Sequence, residues 1–266
     1  MDDTDFQRLR TAILDALDID IEQYKGQQMR RRLGSFVERR ADGDVRAFCR
    51  ELASDVALSE ELRDFLTINV SEFFRDPEQF EYLRSRVLPD LLAGTQTLRI
   101  WSAACASGEE PFSIAILLAE MNALQRARIV ATDLDRKALA RARAGGPYRE
   151  QELRHVSRRQ RLRFFTEAAD GVRPRDELVR AVTFREHDLL RNDFERGYDL
   201  IVCRNVMIYF TAATKTQLTE RLRDALRPGG VLFVGGTEAI VGPEQAGFRR
   251  LSGHFYRSSE RLPVAA

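Results

Sequence analysis

Trp101-Ser102-Ala103-Ala104-Cys105-Ala106-Ser107-Gly108-Glu109-Glu110-Pro111 is the stretch on which the reading of the fold turns. It begins at the end of a short apolar strand, Leu98-Arg99-Ile100-Trp101, runs through small side chains, and enters a helix at Ser107, Gly108 and Pro111 that reaches about Asn122. A strand, a tight loop and a helix make the first half of a βαβ unit. Downstream the alternation continues. Strands are expected at 128–132, 182–184, 198–203 and 231–234, with helices at 136–144 and 213–226, the latter ending at Arg227-Pro228-Gly229-Gly230. Strands alternating with helices predict an α/β fold with a mainly parallel, Rossmann-like sheet. Residues 248–251 and 254–256 read as an antiparallel hairpin at the sheet edge. Between Gly145 and Arg180 the alternation breaks, and Gly146-Pro147 and Arg173-Pro174 bracket an insertion of part helix and part small β hairpin, with 163–166 as one strand.

Upstream, residues 1–68 hold no proline and three glycines. Apolar residues recur at spacings of three and four: Phe6, Leu9, Ile13, Leu17; then Met29, Leu33, Phe36, Val37. About four short helices are expected. The organisation predicted is a helical N-terminal domain, 1–68, and a catalytic domain, 69–266, with the β subdomain inserted at about 160–182.

Composition sets limits. The 266 residues are 44% hydrophobic and 31% charged, with a net charge of +1. Such a chain folds rather than stays disordered, and offers no bulk positive charge for nucleic acid. Nothing approaches ~18 uninterrupted apolar residues, so no membrane span is expected. MDDTDF at the start has no cationic n-region followed by an apolar run, so no secretory signal is read there. Cys49, Cys105 and Cys203 are scattered, as are His155, His187 and His254. They predict neither disulfides nor a metal site, and a reduced, cytoplasmic protein.

Ligands of open α/β sheets bind outside the carboxyl ends of the strands. The loop after the first strand has no GxGxxG, and Glu109 and Glu110 in the first helical turn would repel a phosphate. That disfavours NAD, FAD and ATP and favours a ligand with positive charge, such as S-adenosylmethionine with its sulfonium and ammonium groups. Acids at a helix start are also favourable in themselves. Asp133 ends the second strand 25 positions after Gly108, near the ~20-residue spacing at which an acid meets ribose hydroxyls. Either Asp133 or Asp135 could instead cap the next helix.

Four segments go further: Asn69-Val70-Ser71-Glu72-Phe73-Phe74-Arg75, the Trp101–Ser113 stretch, Ala131-Thr132-Asp133-Leu134-Asp135, and Cys203-Arg204-Asn205-Val206-Met207-Ile208-Tyr209-Phe210. Together they resemble the chemotaxis receptor glutamate methyltransferases, the CheR family, over nearly the whole chain. Departures are mild: Ser71 where Thr is common, Asp188-Leu189 where Asn-Leu is common, and Cys105-Ala106 in the small-residue loop. The resemblance implies a class I S-adenosylmethionine-dependent methyltransferase. It would esterify glutamate side chains in the cytoplasmic methylation region of chemoreceptors and release S-adenosylhomocysteine. It implies that Asn69, Ser71 and Arg75 border the cofactor, that Glu110 holds its methionine part and Asp133 its ribose, that Asp188 and Leu189 lie near the adenine, and that Asn205 and Val206 line the pocket. A glutamate carboxylate is ionised at neutral pH, so no general base is needed. Arg75 is assigned to positioning. Tyr209 either donates an orienting hydrogen bond or packs with its hydroxyl at the surface.

Arg31, Arg32 and Arg39 share a helix face away from the apolar stripe, in a domain that over residues 1–70 carries eleven basic and fifteen acidic residues. That local patch is expected to dock the acidic receptor bundle, with the enzyme a monomer. The short Ala168-Ala169-Asp170-Gly171 connection suggests that no receptor C-terminal peptide is required. A non-catalytic S-adenosylmethionine-sensing or scaffolding module, or a class I methyltransferase with another substrate, is the alternative.

Overall fold

In the computed structural model, residues 1–67 and 71–259 are described. The chain divides into two compact units, Met1–Ile68 with Tyr209–Lys215, and Asn69–Ile208 with Thr216–Ala266. The first holds α1 (Asp3–Leu17), α2 (Gly26–Ala41), α3 (Val45–Leu52) and α4 (Val56–Leu66). Aspartates set their ends. Asp2, Asp44 and Asp55 accept from first-turn N–H groups of α1, α3 and α4, while Asp18 and Asp42 close α1 and α2 in the left-handed conformation. Leu9, Ile13, Leu33, Phe36, Phe48, Leu52 and Leu62 form the buried stripe that the periodicity predicts. The unit also takes in Tyr209–Lys215. The Lys25 N–H donates to the Tyr209 carbonyl at 2.8 Å, the Thr211 N–H to the Gln23 carbonyl at 2.9 Å, and Tyr24 meets Phe210 edge-on at 5.2 Å.

The second unit opens with α5 (Pro77–Tyr82), a π-turn over Leu83–Val87, and α6 (Leu88–Ala93). Then come β1 (Leu98–Ala103), α7 (Glu109–Glu120), β2 (Ala127–Asp133), α8 (Arg136–Arg143), α9 (Arg158–Phe164), β3 (Phe165–Ala168), β4 (Gly171–Pro174), α10 (Asp176–Arg180), β5 (Val182–Glu186), β6 (Tyr198–Cys203), α11 (Ala212–Ala225, whose first residues group with the helical unit), β7 (Leu226–Val234), β8 (Phe248–Ser252) and β9 (Phe255–Ser258). The large sheet runs β5-β2-β1-β6-β7-β9-β8. The first five strands are parallel and the β8–β9 pair is antiparallel. All six residues of β6 are buried, as expected of a central parallel strand. The order reverses between β1 and β6, so their carboxyl ends form the switch point at which ligands bind.

Two boundaries differ from the sequence reading. Arg227-Pro228-Gly229-Gly230 does not end a helix; it lies inside β7, which is irregular against β6 between Tyr198 and Leu200. Arg227 pairs there with the buried Asp199, and a Cβ on Gly230 would sit 2.9 Å from the Tyr198 carbonyl. The 163–166 segment is not all strand. Ser157 and Gln160 make a capping box that starts α9, and the strand begins only at Phe165. The β3–β4 hairpin is tied to the unit through Tyr148, whose N–H and C=O both pair with Val172.

Candidate functional site

The loop after β1 is shaped by its backbone. Ala104, Ala106 and Gly108 have φ of 66°, 47° and 96°. Small side chains tolerate these turns at modest cost. At Gly108 a side chain would be both strained, at φ 96°, and crowded, since a Cβ would stand 3.0 Å from both Ala142 and Phe112. Asp133, at the end of β2, is 8% exposed and accepts the Ala106 N–H at 2.7 Å and the Asp135 N–H at 2.9 Å. Asp135 is the residue that caps α8, accepting from Ala138. The Asp133 carbonyl accepts the His187 N–H at 2.9 Å, which brings the end of β5 alongside. One residue on, the Asp188 carboxylate accepts the Leu190 N–H at 2.7 Å, and the Leu189 carbonyl takes a bond from Arg221.

After β6 the chain turns through Asn205 at φ 59°, a conformation that Asn tolerates better than most residues. Glu238 holds this turn. Its carboxylate accepts the N–H of Asn205 at 2.7 Å, of Gly235 at 2.8 Å and of Ile208 at 3.2 Å. A Cβ on Gly235 would meet that carboxylate at 2.6 Å. Val206 and Asn205 are half-buried beside it.

The Phe73–Asp76 segment is clamped along its backbone. The Phe73 N–H donates to the Glu152 carbonyl at 2.9 Å, the Phe74 N–H to Ser113 Oγ at 2.9 Å, and the Arg75 carbonyl accepts from Arg204 at 2.9 Å. Phe74 and Asp76 both hold positive φ, 53° and 60°. For a bulky residue such as Phe74 this is a strained geometry that only a surrounding web of contacts maintains.

The electrostatics at the strand ends are acidic. Burial pushes up the carboxyls of Glu110 and Asp133, against Arg204 and Ser102 at Glu110 and backbone N–H groups at Asp133. Glu110 accepts from Ser102 Oγ at 2.7 Å and lies 3.3 Å from Arg204. Glu109 has no exposed surface and its carboxyl is pushed up to about 7, chiefly by burial, with Ser71 and Arg141 pulling the other way. Among the described residues neither Glu109 oxygen has a well-formed hydrogen bond; Arg141 is 3.9 Å away. Burial and the neighbouring acids also raise the thiols of Cys105 and Cys203, so neither is a thiolate at neutral pH. Carboxylates at the ends of β1, β2 and β7, without a phosphate cradle, suit a ligand with hydroxyls and positive charge. A sulfonium nucleoside fits this donor set; a pyrophosphate does not.

Comparison with known proteins bears on the same residues. Residues 69–256 match the model for the CheR methyltransferase SAM binding domain, and residues 4–67 that for the CheR methyltransferase all-alpha domain. The chain belongs to the CheR methyltransferase family. A chemotaxis protein methyltransferase from Listeria innocua is 41% identical over 90% of this chain and 92% of its own length. A probable chemotaxis protein methyltransferase from Rhizobium etli is 34% identical over 90% and 94%. Among solved structures, a TehB-like SAM-dependent methyltransferase from Corynebacterium glutamicum is 14% identical, covers 69% of this chain and 94% of that one, and has a TM-score of 0.38. The CheR chain is thus an S-adenosylmethionine-dependent methyltransferase of the chemotaxis class, with the class I fold and an all-helical N-terminal domain. No helix among the described residues is long and apolar enough to cross a membrane, and these residues hold no cluster of metal-binding type.

The expected site residues fall into three groups. Arg75, Glu110, Asp133, Asp188, Leu189, Asn205 and Val206 gather around the carboxyl ends of the strands, and Ser71 acts on Glu109 next door. Asn69 lies outside the described residues. Tyr209 groups with the helical unit through its carbonyl bond to Lys25. On α2, Arg31 and Arg39 are exposed, but Arg32 is half-buried. Arg32 donates to the Phe65 carbonyl and its guanidinium lies over the Phe65 ring at 4.9 Å, so it is part of the helical packing rather than an open surface charge. Arg204 and Glu238 were missed as site residues. Arg204 directly follows β6 and Glu238 stands four residues beyond β7, and what marks them is a set of partners that only the fold brings near.

Proposed function

We propose that the chain methylates the γ-carboxylate of glutamates in the cytoplasmic part of chemoreceptors, yielding methyl esters and S-adenosylhomocysteine. The observation that carries this reading is an acidic set of strand ends beside a rigidly clamped Arg75, with no nucleophile or general base needed for the chemistry. When bound, S-adenosylmethionine supplies an electrophilic methyl group on a sulfonium. Glu110 takes its cationic end, Asp133 its ribose hydroxyls, Asp188 and Leu189 its adenine, while Ser71, Asn69, Asn205 and Val206 border it. The substrate carboxylate arrives already ionised. The chain's work is therefore alignment, which can supply several kcal/mol of the barrier. A cation on the substrate carboxylate would stabilise the ground state more than the charge-neutralising transition state. Arg75 therefore serves by positioning, through the cofactor's carboxylate, and Tyr209 by an orienting hydrogen bond.

The exposed Arg31 and Arg39 of α2 supply charge for an acidic partner, and docking on this face is part of the proposal. So are a monomeric state, a cytoplasmic location, independence from a receptor C-terminal peptide, and no role for nucleic acid. The experiment is incubation with methyl-labelled S-adenosylmethionine and membranes bearing chemoreceptors, with calorimetric titration of S-adenosylhomocysteine in parallel. Base-labile label on the receptors together with product binding is the expected result. A folded protein that binds neither ligand overturns the reading.

A further inference from the structure

Arg204 follows the last residue of β6, and its side chain is only 2% exposed. The guanidinium lies 4.7 Å from the centre of the Phe233 ring and 5.4 Å from that of Phe80. A cation removed from water this far survives only if it is paired and hydrogen-bonded. Its two terminal nitrogens divide the task. Nη1 is 3.3 Å from Glu110 Oε2. Nη2 donates to Asp76 Oδ2 at 2.7 Å and to the Arg75 carbonyl at 2.9 Å, and lies 3.4 Å from Gln79 Oε1. One planar group thus joins the start of α7, the turn into α5 and the end of β6, three segments distant in sequence.

We infer that Arg204 is a positioning residue of the methyl-transfer site, at once the counter-ion of Glu110 and the anchor of the backbone that carries Arg75. The inference rests on the reading in which Glu110 and Arg75 serve the cofactor. Besides Arg204, Glu110 has the Glu238 carboxylate from beyond β7 as a neighbouring acid and the Ser102 hydroxyl from β1 as a donor, and its charge reaches the thiols of Cys105 and Cys203. Arg204 is the cation that offsets the burial of Glu110. Without it, a buried carboxyl among acids takes up a proton and loses its attraction for a positively charged ligand. Removing Nη2 has a separate consequence. The Arg75 carbonyl and the Asp76 carboxylate lose their shared donor, and the strained turn between Phe74 and Asp76 loses one of its clamps.

Lysine and glutamine separate the two roles. Arg204→Lys keeps a charge but not the planar fork that reaches both partners; Arg204→Gln keeps neither. The experiment measures S-adenosylhomocysteine affinity by calorimetry from about pH 6 to about pH 9, the range in which a raised carboxyl pKa would show, and kcat at saturating cofactor, with thermal melting as the control for folding. R204Q is expected to bind at least about tenfold more weakly at neutral pH and to recover as pH rises and Glu110 ionises. R204K is expected to keep the wild-type pH profile of binding while its kcat falls at least about tenfold. A purely structural Arg204 would lower the melting temperature and leave affinity, pH profile and kcat of the folded protein unchanged; that result overturns the inference. Should R204Q fail to fold, R204K carries the test, and wild-type kcat in R204K overturns the anchoring role. Failure of the wild-type protein to bind S-adenosylhomocysteine would instead overturn the underlying reading of the site.

Discussion

Glu109, fully buried and pushed up to about 7 mainly by desolvation, makes ionisation at this position unfavourable in the folded chain. A carboxyl whose folded pKa is raised stabilises the fold fully below its unfolded pKa of 4.5 and loses that contribution as pH rises through about 7. Glu109→Gln removes the dependence. It should stabilise the protein relative to wild type by up to about 3 kcal/mol well above neutrality and by little near pH 5. Denaturant melts at the two pH values check this, and a pH-independent difference would contradict it. Arg75 gives a second expectation. Its carbonyl, not its side chain, accepts from Arg204, so Arg75→Ala leaves that anchor in place. Methyl transfer should fall by about a hundredfold or more, while stability changes by about 1 kcal/mol or less. Parallel losses in rate and stability would deny the side chain a role in the reaction. At this scale the sequence pointed to Asp133 and Glu110 because acids follow two successive strands, although helix starts and caps favour acids too. It hid Arg204 and Glu238 because their partners, Asp76, Glu110, Asn205 and Gly235, come together only once the sheet has formed.

The βαβ alternation was legible because β6 and most of α7 are buried and carry apolar runs, Leu200–Cys203 and Ile114–Ala119. The amphipathic N-terminal helices were legible from period alone. Less visible were features set by tertiary contact. β7 begins at Leu226 because Arg227 finds Asp199 and Gly230 can approach the Tyr198 carbonyl. The segment after Ile208 leaves the sheet unit because its backbone bonds Gln23 and Lys25. The β3–β4 hairpin depends on another such contact. The buried Tyr148 pairs with Val172, donates its hydroxyl to the Ser107 carbonyl at 2.5 Å, and packs edge-on against Phe73 at 4.9 Å. One residue thus connects three parts: its backbone holds the hairpin, and its side chain holds the loop before α7 and the segment that carries Arg75. Tyr148→Phe leaves the Ser107 acceptor without its donor and should cost about 1–3 kcal/mol. Tyr148→Ala also opens a cavity and should cost about 3–5 kcal/mol. Urea unfolding of both variants measures the two steps; equal losses would show that the ring's packing contributes nothing, and an unchanged Tyr148→Phe that the hydroxyl does not.

For the molecule as a whole, a net charge of +1 conceals local contrast: acids gather at the strand ends, while α2 presents exposed Arg31 and Arg39. Charges of this kind act on encounter rate and are screened by salt over a Debye length of about 8 Å at physiological ionic strength. Charge reversal at Arg31 and Arg39 together should lower the initial rate of receptor methylation and flatten its salt dependence, with S-adenosylhomocysteine affinity unchanged. Arg32 is left out because its bond to the Phe65 carbonyl would confound docking with folding. An unchanged rate and salt slope would place docking elsewhere. The fate of the transferred methyl group identifies the acceptor. The enzyme is given methyl-labelled S-adenosylmethionine and a cytoplasmic chemoreceptor fragment, either native or with the glutamates of its methylation segment replaced by glutamine, and the label released as methanol by mild alkali is counted. Alkali-labile label is expected on the native fragment and none on the glutamine form. Equal label on both, or label that survives alkali, would contradict glutamate as the acceptor.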